Sequence, residues 1–304
     1  MSTDNAQEYR QLGPYKVLGL GLGCMPLSIE RRPGREDAIE VIHRALDLGV
    51  NHLDTAFAYY EAGGTSENGE EQHNEKLIAE ALKTYTGDKS GVVVASKVGH
   101  FRYVDKNGRP EWGQQADANY ILETAKKSRD ALEVNSINLY YHHRPDPNPE
   151  VTYSEGLEAL AKLVDDGVVK YAGISNASVE QIDLALSILG DKLIAVQNQY
   201  SPAYRKTLDT LKYTKDKGLA FLPWSPLGGF RHPELLEQDQ PFEKVGKNHG
   251  VSKQQIILAW ELNKGKHVIP IPGFRRTRTL EDSLKALELV RTGALTADEL
   301  NRLG

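Results

Sequence analysis

Along the chain, short apolar runs alternate with longer stretches in which apolar positions recur every three or four residues. The first pattern predicts β-strands, the second amphipathic helices. A hairpin is expected around LGPYKV, and LGLGLG (18–23) then precedes REDAIEVIHRALDLG (35–49). VNHLD leads to HNEKLIAEALK, GVVVASK to ANYILETAKKSRDALE, and INLYYHH to SEGLEALAKLVDDG. VVKYAGIS is followed by SVEQIDLALSILG, LIAVQNQ by RKTLDTLKYTKDKG, and LAFLPWS by a helical region ending ILAWELNKG. HVIPIPG and LEDSLKALELV complete eight strand-then-helix cycles.

Uninterrupted βα repetition predicts an α/β fold, a closed (β/α)8 TIM barrel with an N-terminal β-hairpin, rather than an open doubly wound sheet. Gly49, Gly167, Gly190, Gly218 and Gly265 fall just past helical patterns, where left-handed C-caps are expected. The open alternative would need a GxGxxG fingerprint, and GLGLGCM places Cys24 where its last glycine belongs. Gly19, Gly21 and Gly23 then read as packing the barrel floor or admitting a ligand close to the backbone.

No Ser/Gly-rich linker divides the 304 residues, so residues 1–304 are expected to form one barrel domain. A hydrophobic content of 39% with 26% charged residues excludes the disordered class, and no apolar run approaches the ~18 residues of a membrane span. The polar start MSTDNAQEYR is unlike a secretory signal, and the single Cys24 forbids an intrachain disulfide. A cytoplasmic location is therefore expected. A net charge of −5 argues against a polyanion-binding surface, so neither nucleic acid nor membrane is an expected partner.

In such a barrel the chemistry sits at the C-terminal ends of the strands. Polar residues ending the apolar runs are Asp54, Lys97, His143, Ser175 with Asn176, Gln197, and Trp224 with Ser225. Asp54, Tyr59, Lys97 and His143 make a coherent set. A phenol is a weak acid at neutral pH unless a cation stabilises its phenolate. Lys97 can supply that cation, Asp54 can hold the lysine, and His143 can orient a substrate oxygen. Taken singly, each has a plainer reading: an ion pair, a hydrogen-bonded structural histidine, an amphipathic tyrosine, a core tryptophan, a solvated basic turn at the later arginines. A Schiff-base aldolase using Lys97 is a second enzymatic reading, and a non-catalytic nucleotide-binding regulatory subunit of the same fold a third. No HExxH or CxxC pattern points to a metal.

The stretches LGLGCMPLS (20–28), LDTAFAYY, HNEKLIAEAL, VVVASKVG, INLYYHHRPDP, GISN, AVQNQYSP, PWSPLGG and IPGFRR together resemble the aldo-keto reductase family over almost the whole chain. The resemblance implies hydride transfer from NADPH to a small-molecule carbonyl substrate, with Tyr59 as proton donor tuned by Lys97 and Asp54, and His143 assisting. His142 is set aside because adjacent strand side chains face opposite ways, and HRPDP selects His143. The resemblance further implies that Ser175, Asn176 and Gln197 hold the nicotinamide carboxamide, that Trp224 stacks on the ring, and that Ser225, Leu227 and Gly228 follow the pyrophosphate. Gly23 joins these as a cofactor contact. Residues 269–284, IPIPGFRRTRTLEDSL, are implied at the adenosine end, with Gly273, Arg275, Arg276 and Asp282 as contacts. Phe274, Thr279 and Ser283 depart from the family pattern there, which leaves NADH use open.

Two segments stand outside the pattern. The loop EAGGTSENGEEQ (61–72) carries four glutamates, and Gly63, Gly64 and Gly69 would leave it mobile. After Lys97, GHFRYVDKNGRPEWGQQAD offers Phe101, Tyr103 and Trp112 as candidate walls of a substrate pocket.

Overall fold

The computed structural model describes residues 8–65, 67, 70–145, 150–229 and 240–304. An antiparallel hairpin of β1 (Tyr9–Leu12) and β2 (Tyr15–Leu18) comes first. Seven strands then form one parallel sheet: β3 (Leu22–Gly23), β4 (His52–Asp54), β5 (Val93–Val98), β8 (Ile137–His142), β9 (Val169–Ser175), β10 (Leu193–Gln197) and β11 (Ala220–Phe221). Between them lie α1 (Arg35–Asp47), α2 (His73–Thr84), α3 (Ala118–Ala131), α4 (Glu150–Asp165), α5 (Val179–Leu189) and α6 (Leu208–Asp216). This is the expected cycle through the sixth helix.

The eighth staves of the barrel are residues 267–273, which join the two sheet edges. On one side Ile269 N donates to Phe221 O at 2.8 Å and Ile271 N to Pro223 O at 3.1 Å. On the other, Gly21 N and Gly23 N donate to Pro270 O and Pro272 O, each at 3.0 Å. Pro270 and Pro272 have no N–H to return to β3. The closure therefore survives as single bridges, Gly23 to Gly273 and Phe221 to Val268, instead of a full ladder.

Val93, Ala95, Leu139, Tyr141, Ile194, Ala195, Ala220, Leu222, Ile269 and Ile271 fill the barrel interior, and Leu12 and Val17 of the hairpin join them, plugging the N-terminal end. Buried Arg10 ties that plug in place by donating to Leu262 O, Gly265 O and Val268 O at 2.9, 2.6 and 2.5 Å. The helices cover the outer faces of the strands in two further clusters. Among the described residues no helix is long and apolar enough to cross a membrane.

Several features differ from the sequence expectation. The seventh cycle holds two helices, α7 (Gln240–His249) and α8 (Lys253–Leu262), and the eighth is split into α9 (Thr277–Leu284) and α10 (Ala286–Arg291). A further helix, α11 (Ala297–Leu303), follows, started by a reciprocal Thr296/Glu299 capping box. The segment after Lys97 is a second antiparallel hairpin, β6 (His100–Val104) with β7 (Pro110–Gln114), turning at Asn107-Gly108. Four of the five C-cap glycines take φ between 54° and 88°, while Gly265 is nearly extended at 159°.

Gly23 is required by the closure itself: a Cβ there would lie 2.6 Å from Ile271 O, a backbone atom that cannot step aside. Gly23→Ala should therefore cost about 1–3 kcal/mol by forcing the first and last staves apart. Gly91→Ala, whose nearest neighbour would be 4.0 Å away, is the control. Equal urea midpoints for the two variants would refute this account of the closure.

Candidate active site

Strand register and stagger bring the site together. Asp54 ends β4 opposite Ala95, and Lys97 lies two residues further along β5, opposite Tyr141. The chain leaving β4 is pinned by Asn74 at the start of α2. Thr55 Oγ1 donates to Asn74 Oδ1 at 2.6 Å, and Asn74 Nδ2 donates to Cys24 O and Ser28 Oγ at 2.9 and 2.7 Å. Asn74 N also donates to Tyr59 O at 3.2 Å, which fixes the turn carrying the phenol.

Lys97 has a fully buried side chain. Its ammonium donates to Asp54 Oδ1 at 2.5 Å, Thr55 O at 2.6 Å and the Tyr59 hydroxyl at 3.2 Å. An ammonium has three N–H donors, so all are engaged. Burial opposes the charge, yet Asp54 and the phenol more than offset it and raise the lysine's pKa. Burial also raises the pKa of Tyr59, while Lys97 pulls in the opposite direction. Both groups therefore keep their protons at neutral pH.

His143 follows β8, its N–H bonded to Val98 O at 2.8 Å. Its ring stands edge-to-face with Tyr59 at 6.0 Å between centroids. Desolvation, reinforced by His100 and Lys97, lowers its pKa well below the usual value, so the ring is neutral. His142 faces the other way, against Tyr153 of α4 at 5.1 Å, and Gly156 makes room for it. The two histidines thus face opposite ways, His143 toward Tyr59 and His142 toward α4.

The residues implied to hold nicotinamide form a bonded belt. Gln197 Nε2 donates to Asp54 Oδ2 at 2.8 Å, tying β10 to β4. Ser175 Oγ donates to Gln197 O at 2.6 Å. Asn176, left-handed at φ 59°, donates to His143 O at 2.9 Å and Ser175 Oγ at 3.1 Å, and accepts from Trp224 Nε1 at 3.2 Å. Ser225, Gly228 and Gly229 also have positive φ, at 51°, 86° and 78°, which curves the Ser225–Leu227–Gly228 backbone in the manner of anion-binding turns. Asp282 is engaged elsewhere: its two oxygens accept from Ser252 Oγ and Gln255 Nε2, each at 2.7 Å, linking α9 to α8.

The profile of the Aldo/keto reductase family matches residues 19–303. The chain belongs to the aldo-keto reductase family. It is 30% identical to the probable aldo-keto reductase 1 of Glycine max, over 90% of this chain and 82% of that one. A thermostable aldo-keto reductase crystallised with the inhibitor epalrestat superposes with a TM-score of 0.78 at 27% identity, covering 97% and 98% of the two chains. An aldo/keto reductase from Klebsiella pneumoniae, solved with NADP and acetate, shares the fold with a TM-score of 0.75 at 22% identity, covering 98% and 94%.

Beside these residues lies a cleft that the sequence reading saw only in part, naming Arg275 and Arg276 but not Arg31. This cleft of about 440 Å³ is lined by Arg31, Arg275 and Arg276, with Thr277 opening α9 and the carboxylates of Asp37 and Glu40 on the α1 side. Arg275 Nε is buried without a partner, and burial together with nearby Arg31 lowers that guanidinium's pKa. Three guanidiniums at a helix N-terminus, one of them with an unpartnered Nε, suit an anion on the side away from the two carboxylates. Phe274 is a core residue beneath this turn, which explains its departure from a hydroxyl side chain. Glu75, one residue after Asn74, accepts from Ser96 Oγ at 2.5 Å behind Lys97, and burial pushes its pKa up to about 7.

The second hairpin also reaches the site. His100, Arg102 and Trp112 share its inner face, Trp112 edge-on to Tyr59 at 6.3 Å. Phe101 and Tyr103 point to the outer face, Tyr103 being 41% exposed, so they are not the walls expected of them. Arg102 stacks over Trp112 at 4.1 Å and pairs with Glu30, which also accepts from Ala62 N. The described part of the acidic loop is pinned rather than loose, because Arg32 pairs with Glu70 at 2.7 Å and Glu61 at 3.7 Å.

Lys97→Met would strand the Asp54 carboxylate in the interior at a cost of about 3–5 kcal/mol. Adding Asp54→Asn should recover much of that loss. Urea unfolding of the two variants checks this, and a double variant no more stable than the single one would mean that the pair is not coupled as described.

Proposed function

We propose that this protein reduces an aldehyde or ketone to an alcohol, with NADPH as cofactor and Tyr59 as proton donor. The observation that carries the reading is the Lys97 ammonium held 3.2 Å from the Tyr59 hydroxyl by Asp54. NADPH, when bound, would supply the hydride. Ser175, Asn176 and Gln197 would hold its carboxamide and Trp224 its ring, Ser225, Leu227 and Gly228 would follow the pyrophosphate beside Gly23, and Gly273 would border the adenosine end, with Asp282 bracing that helix through Ser252 and Gln255. Arg31, Arg275 and Arg276 would receive the 2′-phosphate, a fit that the unpartnered Arg275 Nε supports.

Tyr59 gives its proton to the carbonyl oxygen as negative charge develops there. The phenolate left behind sits beside a cation already in place, so no rearrangement is needed to stabilise it. Asp54, itself held by Gln197, fixes that cation, and neutral His143 orients the carbonyl oxygen. The same geometry disfavours a Schiff-base aldolase. A nucleophilic amine needs a free lone pair, and Lys97 is protonated with every N–H engaged.

Titration by tryptophan fluorescence should give tighter binding of NADPH than of NADH, and 4-nitrobenzaldehyde should then be reduced with loss of the reduced-nicotinamide absorbance. Tyr59→Phe should lower kcat about 10²–10⁴-fold while preserving NADPH affinity. Nucleotide binding without turnover across a panel of carbonyl compounds would favour the regulatory-subunit reading instead. Full activity in Tyr59→Phe would remove the phenol from the mechanism.

A further inference from the structure

His100 is a second histidine at the reacting end of the barrel. It opens β6 directly after Gly99, whose φ of 121° turns the chain back over the site. Its ring is 8% exposed and stands edge-to-face with His143 at 4.5 Å and with Trp112 at 5.9 Å. Tyr59 is edge-on to both of those neighbours, so four rings surround the region beside the phenol.

The tautomer of His100 follows from one contact. Nδ1 lies 2.9 Å from Gly113 O on β7, and a carbonyl oxygen only accepts, so Nδ1 carries the proton. In a neutral ring Nε2 is then a pure acceptor. The two ring nitrogens point apart, which turns Nε2 away from β7, and among the described residues it makes no hydrogen bond. The charged and titratable groups that face the ring are His143 and Arg144 beyond β8, Arg144 acting on it electrostatically. Burial is the main cause lowering the pKa of His100 to about 4, with Arg144 adding to it and the Gly113 bond opposing. The ring stays neutral at physiological pH.

From this geometry we infer that His100 is a specificity-determining residue whose Nε2 accepts a hydrogen bond from a substrate hydroxyl, selecting hydroxylated carbonyl compounds over unsubstituted ones. This rests on the reductase reading and deepens it. Tyr59 presents a donor for the carbonyl oxygen, and His100, which shares its His143 and Trp112 neighbours, presents an acceptor in the same aromatic cluster. A carbonyl compound with a hydroxyl one or two carbons away satisfies both. One that lacks the hydroxyl covers that acceptor without giving it a partner, a loss that binding sites discriminate strongly.

The test compares kcat/KM for two matched pairs, propanal with 2-hydroxypropanal and butanal with 3-hydroxybutanal. The wild-type protein should prefer the hydroxylated member of at least one pair by about tenfold or more, mainly through KM. His100→Phe keeps a ring but removes the acceptor, and should abolish the preference while leaving the plain aldehydes nearly unchanged. His100→Gln can present an amide oxygen near the Nε2 position and should restore part of it. A wild-type protein without preference would overturn the inference whatever the variants do. So would an equal loss on both members in His100→Phe, the signature of a merely structural role. If the wild-type protein oxidises NADPH with none of the four aldehydes, the reductase reading itself falls, and this inference with it.

Discussion

The C-terminal end of this barrel is organised around one buried ammonium. Removing Lys97 from water is costly unless a counter-charge and hydrogen-bond acceptors meet it in good geometry. Asp54, the Thr55 carbonyl and the Tyr59 hydroxyl do so from a single stretch of chain. Those acceptors must themselves be held. Gln197 holds Asp54 from across the barrel, and Asn74 holds the turn that carries Thr55 and Tyr59. The charge that tunes the phenol thus also dictates how strands β4, β5 and β10 and helix α2 meet.

The rest of the architecture makes that meeting rigid. Proline and glycine close the barrel between first and last staves, where Gly23 lets Ile271 O approach and the proline carbonyls accept what β3 donates. The N-terminal hairpin plugs the opposite end, anchored by Arg10. Over the open end the second hairpin brings Trp112 and His100 beside Tyr59, and the Glu30–Arg102 pair latches it to the loop after β3. Arg275 donates to the Glu30 backbone at 3.3 Å, so this latch also touches the arginine cleft.

The strand-then-helix rhythm was legible because each element carries its own period, and the strand-end positions of Asp54, Lys97 and His143 follow from it. That His142 and His143 face opposite ways was legible from strand alternation, while the choice between them came from the HRPDP resemblance. The partnership of Gln197 with Asp54 was not, since 143 residues separate them and no local pattern encodes a contact across a barrel. Arg31 was missed for the same reason: it meets Arg275 only after the closing segment folds back. The second hairpin and α11 did leave local signals, Asn107-Gly108 between alternating residues and the Thr296–Glu299 capping spacing. With the hairpin's alternation applied, Trp112 and His100 fall on one face and Phe101 and Tyr103 on the other.

The account's central claim is that a buried, protonated phenol next to a fixed cation delivers the proton. The pH dependence of kcat/KM for aldehyde reduction tests it most directly. A phenol whose pKa is raised by burial, with Lys97 opposing, donates only while protonated. The rate should therefore stay level through neutral pH and fall along an alkaline limb at or above the ordinary tyrosine range, about pH 10. A limb in the range of an ordinary histidine, or a rate that rises with pH, would contradict the claim.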